Sequence, residues 1–407
     1  MSVAGQSASQ LIRPKYGNLL LIVLEFFNLD FNYETINNPN LSLKVVEIRR
    51  KSHKYSSSTK NFIIVSFMVV VFFSCYVISG ETRLAFSFAS TNNVSSLCFT
   101  HIKKFDSNGN FISGWGPQGS FNGQFLHIHG IAVDKSGYVY AVDEQKQNVQ
   151  KFDATGKFIT SWGSLGSGPG QFSNKLEDIN VDSNGYVYVA DYGNNRISKF
   201  DSQGKFITSW GSKGEANGLF NRPWGVAFDS HGNVFVTDQR NNRIQKFDSQ
   251  GKSVSSIQSR QSGNGSFIHL HAIAFDHVDN FYISDARNDS RILKFDSQGK
   301  FITSWGSPGS GPGQFHEQHG IAIDSKNNVY VVDTFNSRIQ KFSPDGKFIT
   351  SWGSLGIKNG QFLFPQDIAI DSKNNIYISD IGNGHPEIHF LSKFLSEYQN
   401  IAAILEC

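Results

Sequence analysis

His129, His271 and His319 each stand immediately before a short apolar run of nearly one sequence, GIAVD, AIAFD and GIAID. The same place before the three other runs of this kind holds Glu177, Trp224 and Gln366. Histidine titrates near neutral pH and ligates transition metals through an imidazole nitrogen, and a carboxylate can complete such a set. Three histidines and a glutamate brought to one place could bind a divalent metal, zinc first among them. Held apart, the same side chains only line a wet surface. His127 and His269 lie two residues, and His316 three residues, upstream of members of the set. Which case holds depends on whether the chain folds the six positions onto one axis.

A repeat does so. The string KFDSQGKFITSWGS recurs almost verbatim, with Trp115, Trp162, Trp210, Trp305 and Trp352 at its end and Ile257 replacing the tryptophan once. Asp134, Asp182, Asp229, Asp276, Asp324 and Asp371 close the GIAxD-like runs, and Asp143, Asp191, Asp238, Asp285, Asp333 and Asp380 close the next apolar run, each series at 47–48 residue spacing. One unit reads as four strands: a short apolar run, a Val/Tyr-rich run such as NNVYVVD, then RIQKF, then KFITSWG. Asn-Gly, Gln-Gly and Asp-Gly pairs before the last strand are hairpin signals. Six four-stranded units around an axis predict an all-β fold, a six-bladed β-propeller. The chain enters at 98–115 with only the last two strands of a unit and leaves with the first two, so the N-terminal strands are expected to complete the last blade. The irregular stretch IGNGHPEIHFLSKF after Asp380 is a competitor for that position. On this register the six residues before the inner strands ring one mouth of the central channel.

A second set recurs between the second and third strands: Asp191, Asn194 and Arg196; Asp238, Asn241 and Arg243; Asp333, Asn336 and Arg338; and, with one residue more, Asp285, Asn288 and Arg291. Residues repeated from blade to blade are expected to hold the blade, by Asp–Arg pairing and Asp caps on turns. The departures from the repeat are the functional candidates. These are His129, Glu177, His271 and His319 as a channel-mouth or metal set, and Lys175, Arg222, Trp224 and Gln366 as a ligand face.

The GIAVD, VYVAD, NNRIQKF and FITSWG pieces, in this order, resemble NHL repeats over residues 98 to about 395. That resemblance speaks for fold far more than for function. It extends to the peptidylglycine amidating lyase branch, which implies zinc held by histidines on alternate blades. Here alternate blades from the first give His129, Trp224 and His319, and Trp224 cannot ligate zinc, so the three-fold pattern is broken. The streptogramin-lyase branch finds no matching acid/base pair in this sequence. The ubiquitin-ligase role of animal NHL proteins needs a zinc-binding module that Cys75, Cys98 and Cys407 do not supply.

Residues 1–60 carry eight Lys/Arg against four Asp/Glu, whereas residues 101–407 carry 28 against 29. A near-neutral repeat region argues against nucleic acid as a partner, although Lys175, Arg222, Trp224 and Arg240 are the kind of residue such a face would use. Residues 62–79 form an uncharged apolar run, about 27 Å long as a helix, preceded by six Lys/Arg from Lys44 to Lys60. The expected organisation is a polar, basic tail over 1–60, unstructured or upstream of the true start. A membrane-crossing or signal-anchor helix follows over 61–80, then a linker over 81–97, the propeller over 98–395 and a tail over 396–407. Basic residues before the run place the propeller outside the cytoplasm, anchored, or secreted if cleaved after Ser87-Phe88-Ala89. Asn93, Asn264 and Asn288 lie in N-x-Ser sequons that glycosylation would use there.

Two functions follow. The leading one is a binding scaffold without catalysis, presenting its loop face to a protein, peptide or glycan and needing no cofactor. The alternative is a metal-dependent lyase or hydrolase built on the histidine mouth, with zinc as its cofactor.

Overall fold

The computed structural model describes residues 29–38, 41–50, 74–78, 81–85, 101–259, 266–286 and 290–382. The chain divides into two compact units, 1–95 with 395–407, and 96–394. In the first unit Leu29–Asn38 pairs antiparallel with Leu41–Arg50, and Ser74–Ile78 pairs with Glu81–Ala85. Both hairpins fall in stretches read from the sequence as a tail and a helix. The tail expected to lack structure alternates apolar and polar residues (Leu29, Phe31, Tyr33; Leu41, Leu43, Val45), a strand period. The helix expected through residue 80 instead ends its run in a strand, where Tyr76, Val77 and Ile78 favour extended backbone. Among the described residues no helix is long and apolar enough to cross a membrane. Residues 62–73, the asparagines of the three sequons and 383–407 lie outside the described residues.

The second unit is a ring of six four-stranded antiparallel sheets. Blade 1 runs Ile128–Val133, Val139–Asp143, Asn148–Phe152 and Phe158–Trp162. Blades 2 to 5 start at Ile179–Val181, Pro223–Phe228, Leu270–Phe275 and Gln318–Ile323 and repeat the order. Blade 6 takes Pro365–Ile370 and Ile376–Asp380 from one end of the ring sequence, and Ile102–Phe105 and Phe111–Trp115 from the other. Two short 3₁₀ turns, Gln239–Asn241 and Thr334–Asn336, are its described helical pieces.

The core lies between blades. Ala132, Tyr140 and Val142 of blade 1 pack with Ile179, Val187 and Val189 of blade 2, and the other interfaces follow suit. A second strand such as Val329–Asp333 is therefore buried along its whole length, which is why it reads as a nearly continuous apolar run. The outermost FITSW strands alternate, with Ile159 and Ile207 both 44% exposed.

Each outer-strand tryptophan locks its blade to the next. The indole of Trp305 covers Gly346 in the outer turn of the following blade, Trp162 covers Gly204, and Trp352 covers Gly109. Gly346 has φ +85°, and a methyl there would stand 2.5 Å from the indole. Gly232 has a similar φ of +79° with nothing within 4 Å of the same methyl. Gly346→Ala should therefore cost about 1 kcal/mol for left-handed backbone plus about 1–3 kcal/mol for overpacking. Gly232→Ala should cost the backbone part alone. Calorimetry of both variants checks this, and equal melting temperatures would remove the packing contribution.

The ring closes through the pairing Ser379↔Ile102, Ile378↔Lys103, Tyr377↔Lys104 and Ile376↔Phe105. Lys103 Nζ, on a side chain 2% exposed, meets Asp380 Oδ2 at 2.7 Å and donates to the Gln361 carbonyl at 2.6 Å. The His101 ring is fully buried between the Asp380 carbonyl and Gln118 Oε1, each at 2.8 Å. Lys103→Met leaves Asp380 buried without its cation, a loss of about 3–5 kcal/mol. Urea unfolding should show the midpoint fall accordingly; an unchanged midpoint would mean that the pair does not hold the ring shut.

Candidate functional site

The six ring positions do converge. Glu177 Oε2 lies 3.3 Å from His129 Nδ1. The His129 ring meets the Trp224 indole edge-on at 6.1 Å. Trp224 stacks on His271 at 4.1 Å and 17°, and meets His319 edge-on at 5.7 Å. His319 Nδ1 and Gln366 Oε1 are 2.6 Å apart. One chain of contacts thus joins all six blades, with Trp224 at its centre.

Backbone irregularity aims these side chains. In five of the inner strands the register shifts at or just after the ring residue, for example between Leu270 and Ile273 and between Gln318 and Ile321. A bulge turns a side chain out of the ladder and leaves backbone groups needing partners. In three blades a hydroxyl supplies them. Thr237 Oγ1 accepts from Gly225 N and donates to the His271 carbonyl, each at 2.7 Å. Ser284 joins Ala272 N to the His319 carbonyl, and Ser379 joins Asp367 N to the His129 carbonyl. The equivalent residues before Glu177, Trp224 and Gln366 are Val142, Ala190 and Val332. A hydroxyl in the second strand therefore marks each blade that precedes a ring histidine.

A second tier lies two residues upstream, just ahead of the inner strands. It brings in Glu317 and, from a neighbouring loop, Glu144, neither of which was among the sequence candidates. The ligand atoms of His271, Glu317 and His319 all lie within 4.8 Å of one another, as do those of His127, His129 and Glu144. Lys175 and Arg222 belong to this tier too. Lys175 Nζ stands 3.5 Å from Glu177 Oε1, and both cations lie 5.3 Å from the ring of Tyr192, whose hydroxyl accepts from Arg222 at 3.2 Å. Tyr192 was missed because the other blades have no aromatic residue of this role in the matching sequence. His316 instead stacks on Phe335 at 5.0 Å, away from the set.

The repeated Asp–Asn–Arg residues lie outside the mouth. Arg196 Nε meets Asp191 Oδ2 at 3.0 Å while its guanidinium donates to the carbonyls of Ser167, Gly168 and Gln171. Arg243–Asp238, Arg338–Asp333 and Arg291–Asp285 form the same clamp at 2.8, 2.7 and 3.3 Å. Asn194, Asn241 and Asn336 bridge their Asp to a loop carbonyl, while Asn288 lies outside the described residues. In the units without Arg a lysine takes over: Lys146 reaches the Phe121 and Gln124 carbonyls in blade 1, and Lys103 serves blade 6.

At the other end of the channel is a cavity of about 670 Å³, walled by inner-strand residues such as Ile131, Ala227 and Ile323 and reaching Asp178 and Asp367. Burial first, then the facing carboxyl of Asp367, holds Asp178 well above the usual carboxylate range. Asp178 accepts from Val226 N and Asp367 from Ile131 N, so the pair ties blades 2 and 6 to their successors.

At the mouth, burial drives His129 well below its ordinary value, aided by repulsion from His127, His319 and Lys175. Burial pushes Glu177 from 4.5 up to about 8, against the pull of Lys175. Folded protein then holds a proton on Glu177 that the unfolded chain releases near 4.5, so this group's contribution is fully present below that value and is lost as pH rises toward about 8. Glu177→Gln should flatten the fall in melting temperature between about pH 5 and pH 8, read by calorimetry. Equal slopes in variant and wild type would show a carboxyl that ionises as it does in water.

A family described as a 6-bladed beta-propeller matches residues 137–211 and 276–343, and the NHL repeat matches 220–247. No curated protein matches the chain. Among solved structures, a catalytically inactive virginiamycin B lyase from Staphylococcus aureus with quinupristin is 16% identical, at TM-score 0.47, over 69% of this chain and 81% of that one. A gluconolactonase from Xanthomonas campestris is 13% identical, at TM-score 0.47, over 63% and 87%. A Bacteroides thetaiotaomicron protein of unknown function is 16% identical, at TM-score 0.49, over 83% and 94%. These likenesses concern the fold. With six four-stranded blades, a strand-swapped closure and an NHL repeat matched at 220–247, the chain is a six-bladed β-propeller that carries NHL-type repeat sequence.

Proposed function

We propose that this propeller is a binding scaffold whose histidine-rich channel mouth receives a polar segment of a peptide or glycan. One observation carries the reading. Both carboxyl oxygens of Glu177 and the Nε2 of Gln366 are buried without a hydrogen bond, on residues each 2% exposed. Glu177 has contacts with His129 and Lys175 at 3.3 and 3.5 Å, but its hydrogen-bonding capacity is unspent. Buried polar groups are rarely left so, and here an acceptor and a donor flank one aromatic wall made by Trp224 and His271. A ligand offering a donor to Glu177 and an acceptor to Gln366 would satisfy both. Lys175, with a side chain 46% exposed, and Arg222 extend the face outward.

Placement outside the cytoplasm belongs to the same proposal, with the membrane held by residues 62–79, or secretion if the segment is cleaved. It rests on the basic residues before that run and on its apolar composition. A metal-dependent lyase or hydrolase is the second reading, favoured by the two groups of His and Glu, and it requires turnover of whatever binds.

Peptide and glycan arrays probed with the protein should give ligands whose binding falls at least about tenfold in Trp224→Ala and in Glu177→Ala, as for a buried contact worth over ~1.4 kcal/mol. Ile302→Ser, on an outer strand, should leave binding intact. Ligands that bind the mouth variants as well as the wild type would move the site elsewhere on the propeller.

A further inference from the structure

Among the mouth residues one trio has its imidazoles prepared in a way that a general polar pocket does not require. His271 Nδ1 lies 3.3 Å from the backbone carbonyl of Gln318, which can only accept a hydrogen bond. His319 Nδ1 lies 2.6 Å from Gln366 Oε1, also an acceptor. Each ring therefore carries its proton on Nδ1, which leaves the lone pair on Nε2. This is how outer contacts orient histidines that ligate metals, by fixing the tautomer and raising ligand basicity. The two rings meet edge-on with centroids 4.5 Å apart, and Glu317 brings a carboxylate oxygen within 4.8 Å of one nitrogen of each ring. Glu317 holds a left-handed backbone, φ +54°, where a residue other than glycine is unfavourable. That conformation keeps its side chain beside the adjacent blade's histidine.

We propose that His271, Glu317 and His319 form a binding site for one zinc-type divalent cation, with Gln366 and the Gln318 carbonyl as positioning groups. The inference rests on the reading of the mouth as the binding site and gives that site its chemistry. Two imidazole nitrogens and one carboxylate are a donor set for zinc that leaves a coordination position for a water or a ligand's oxygen. Adjacent blades supply it, so it differs from a three-fold arrangement on alternate blades. The His127, His129 and Glu144 group is less prepared. There His127 turns Nε2 toward Glu144 at 3.9 Å, and the two imidazoles lie parallel with centroids 5.9 Å apart. His271 is 1% exposed, whereas Glu317 and His319 are half-buried, so the ion would reach the trio from the channel mouth.

The test is titration of the full-length, chelator-treated chain with Zn²⁺ and, for its visible spectrum, Co²⁺. The expected result is one ion per chain. His319→Ala and Glu317→Gln should weaken binding at least about tenfold, and Gln366→Leu should keep the stoichiometry with affinity reduced about 10- to 100-fold. His127→Ala should bind like the wild type. His271→Ala belongs in the series, but if it fails to fold the two half-buried ligands carry the test, with circular dichroism confirming their folds. No uptake by the wild type, or uptake lost in His127→Ala and kept in Glu317→Gln and His319→Ala, would overturn the site. Trp224-dependent array binding by a protein that takes up no metal would overturn this inference alone. Metal uptake without any array ligand would sink the binding reading alone.

Discussion

Everything in the propeller depends on closing the ring without a covalent bond. Five blades are each built from contiguous chain, so their strands find one another over short loops. Blade 6 must join residues about 277 positions apart, as Lys103 and Asp380 are, and the loop-closure entropy of that step is recovered nowhere else. Several interactions meet at the junction. It has a strand ladder, a buried lysine–aspartate pair, a buried histidine bonded on both ring nitrogens, and the Trp352–Gly109 contact that continues the lock between blades. Lys103 stands at the register position of Gln245 and Gln340, yet its cation meets the blade's aspartate as arginine does in blades 2 to 5, so the contact that steadies each loop also joins the two ends of the ring.

Closure is what makes a site out of scattered residues. His129 and His319 are 190 positions apart, and only a closed ring places them on either side of Trp224. Bulges at the start of the inner strands then aim the side chains, and the hydroxyls of Thr237, Ser284 and Ser379 hold the bulged backbone of the three histidine positions. The mouth and the lower cavity share one channel but differ in character. One end gathers imidazoles, amides and an indole. The other runs from the aspartates Asp178 and Asp367 down to aliphatic walls.

Much of this was readable from the sequence because the repeat is so regular. The six blades, the composite last blade and the ring of His129, Glu177, Trp224, His271, His319 and Gln366 all follow from register alone. The partners of that ring did not. Glu317 and Glu144 reach the mouth through a two-residue offset and a loop, and Tyr192 enters from a turn whose path the repeat does not fix. Lys146 and Lys103 substitute for arginine from different places in the chain, which a search for the Asp–Asn–Arg order passes over. The N-terminal region shows the opposite weakness. An uncharged run reads as a helix by hydropathy, yet β-branched and aromatic residues at its end pair as a strand.

The strand that closes blade 6 also decides how the ring would bear tension. Ile102–Phe105 is the third strand of its sheet, flanked by Ile376–Asp380 on one side and Phe111–Trp115 on the other. A pull on the chain from the N-terminal side of His101 runs along this strand, not across it. Both ladders would have to shear together, and the Lys103–Asp380 pair would have to break in the same step, whereas an edge strand would peel one hydrogen bond at a time. Any tether attached ahead of residue 101 thus loads an inner strand of the blade and not an edge.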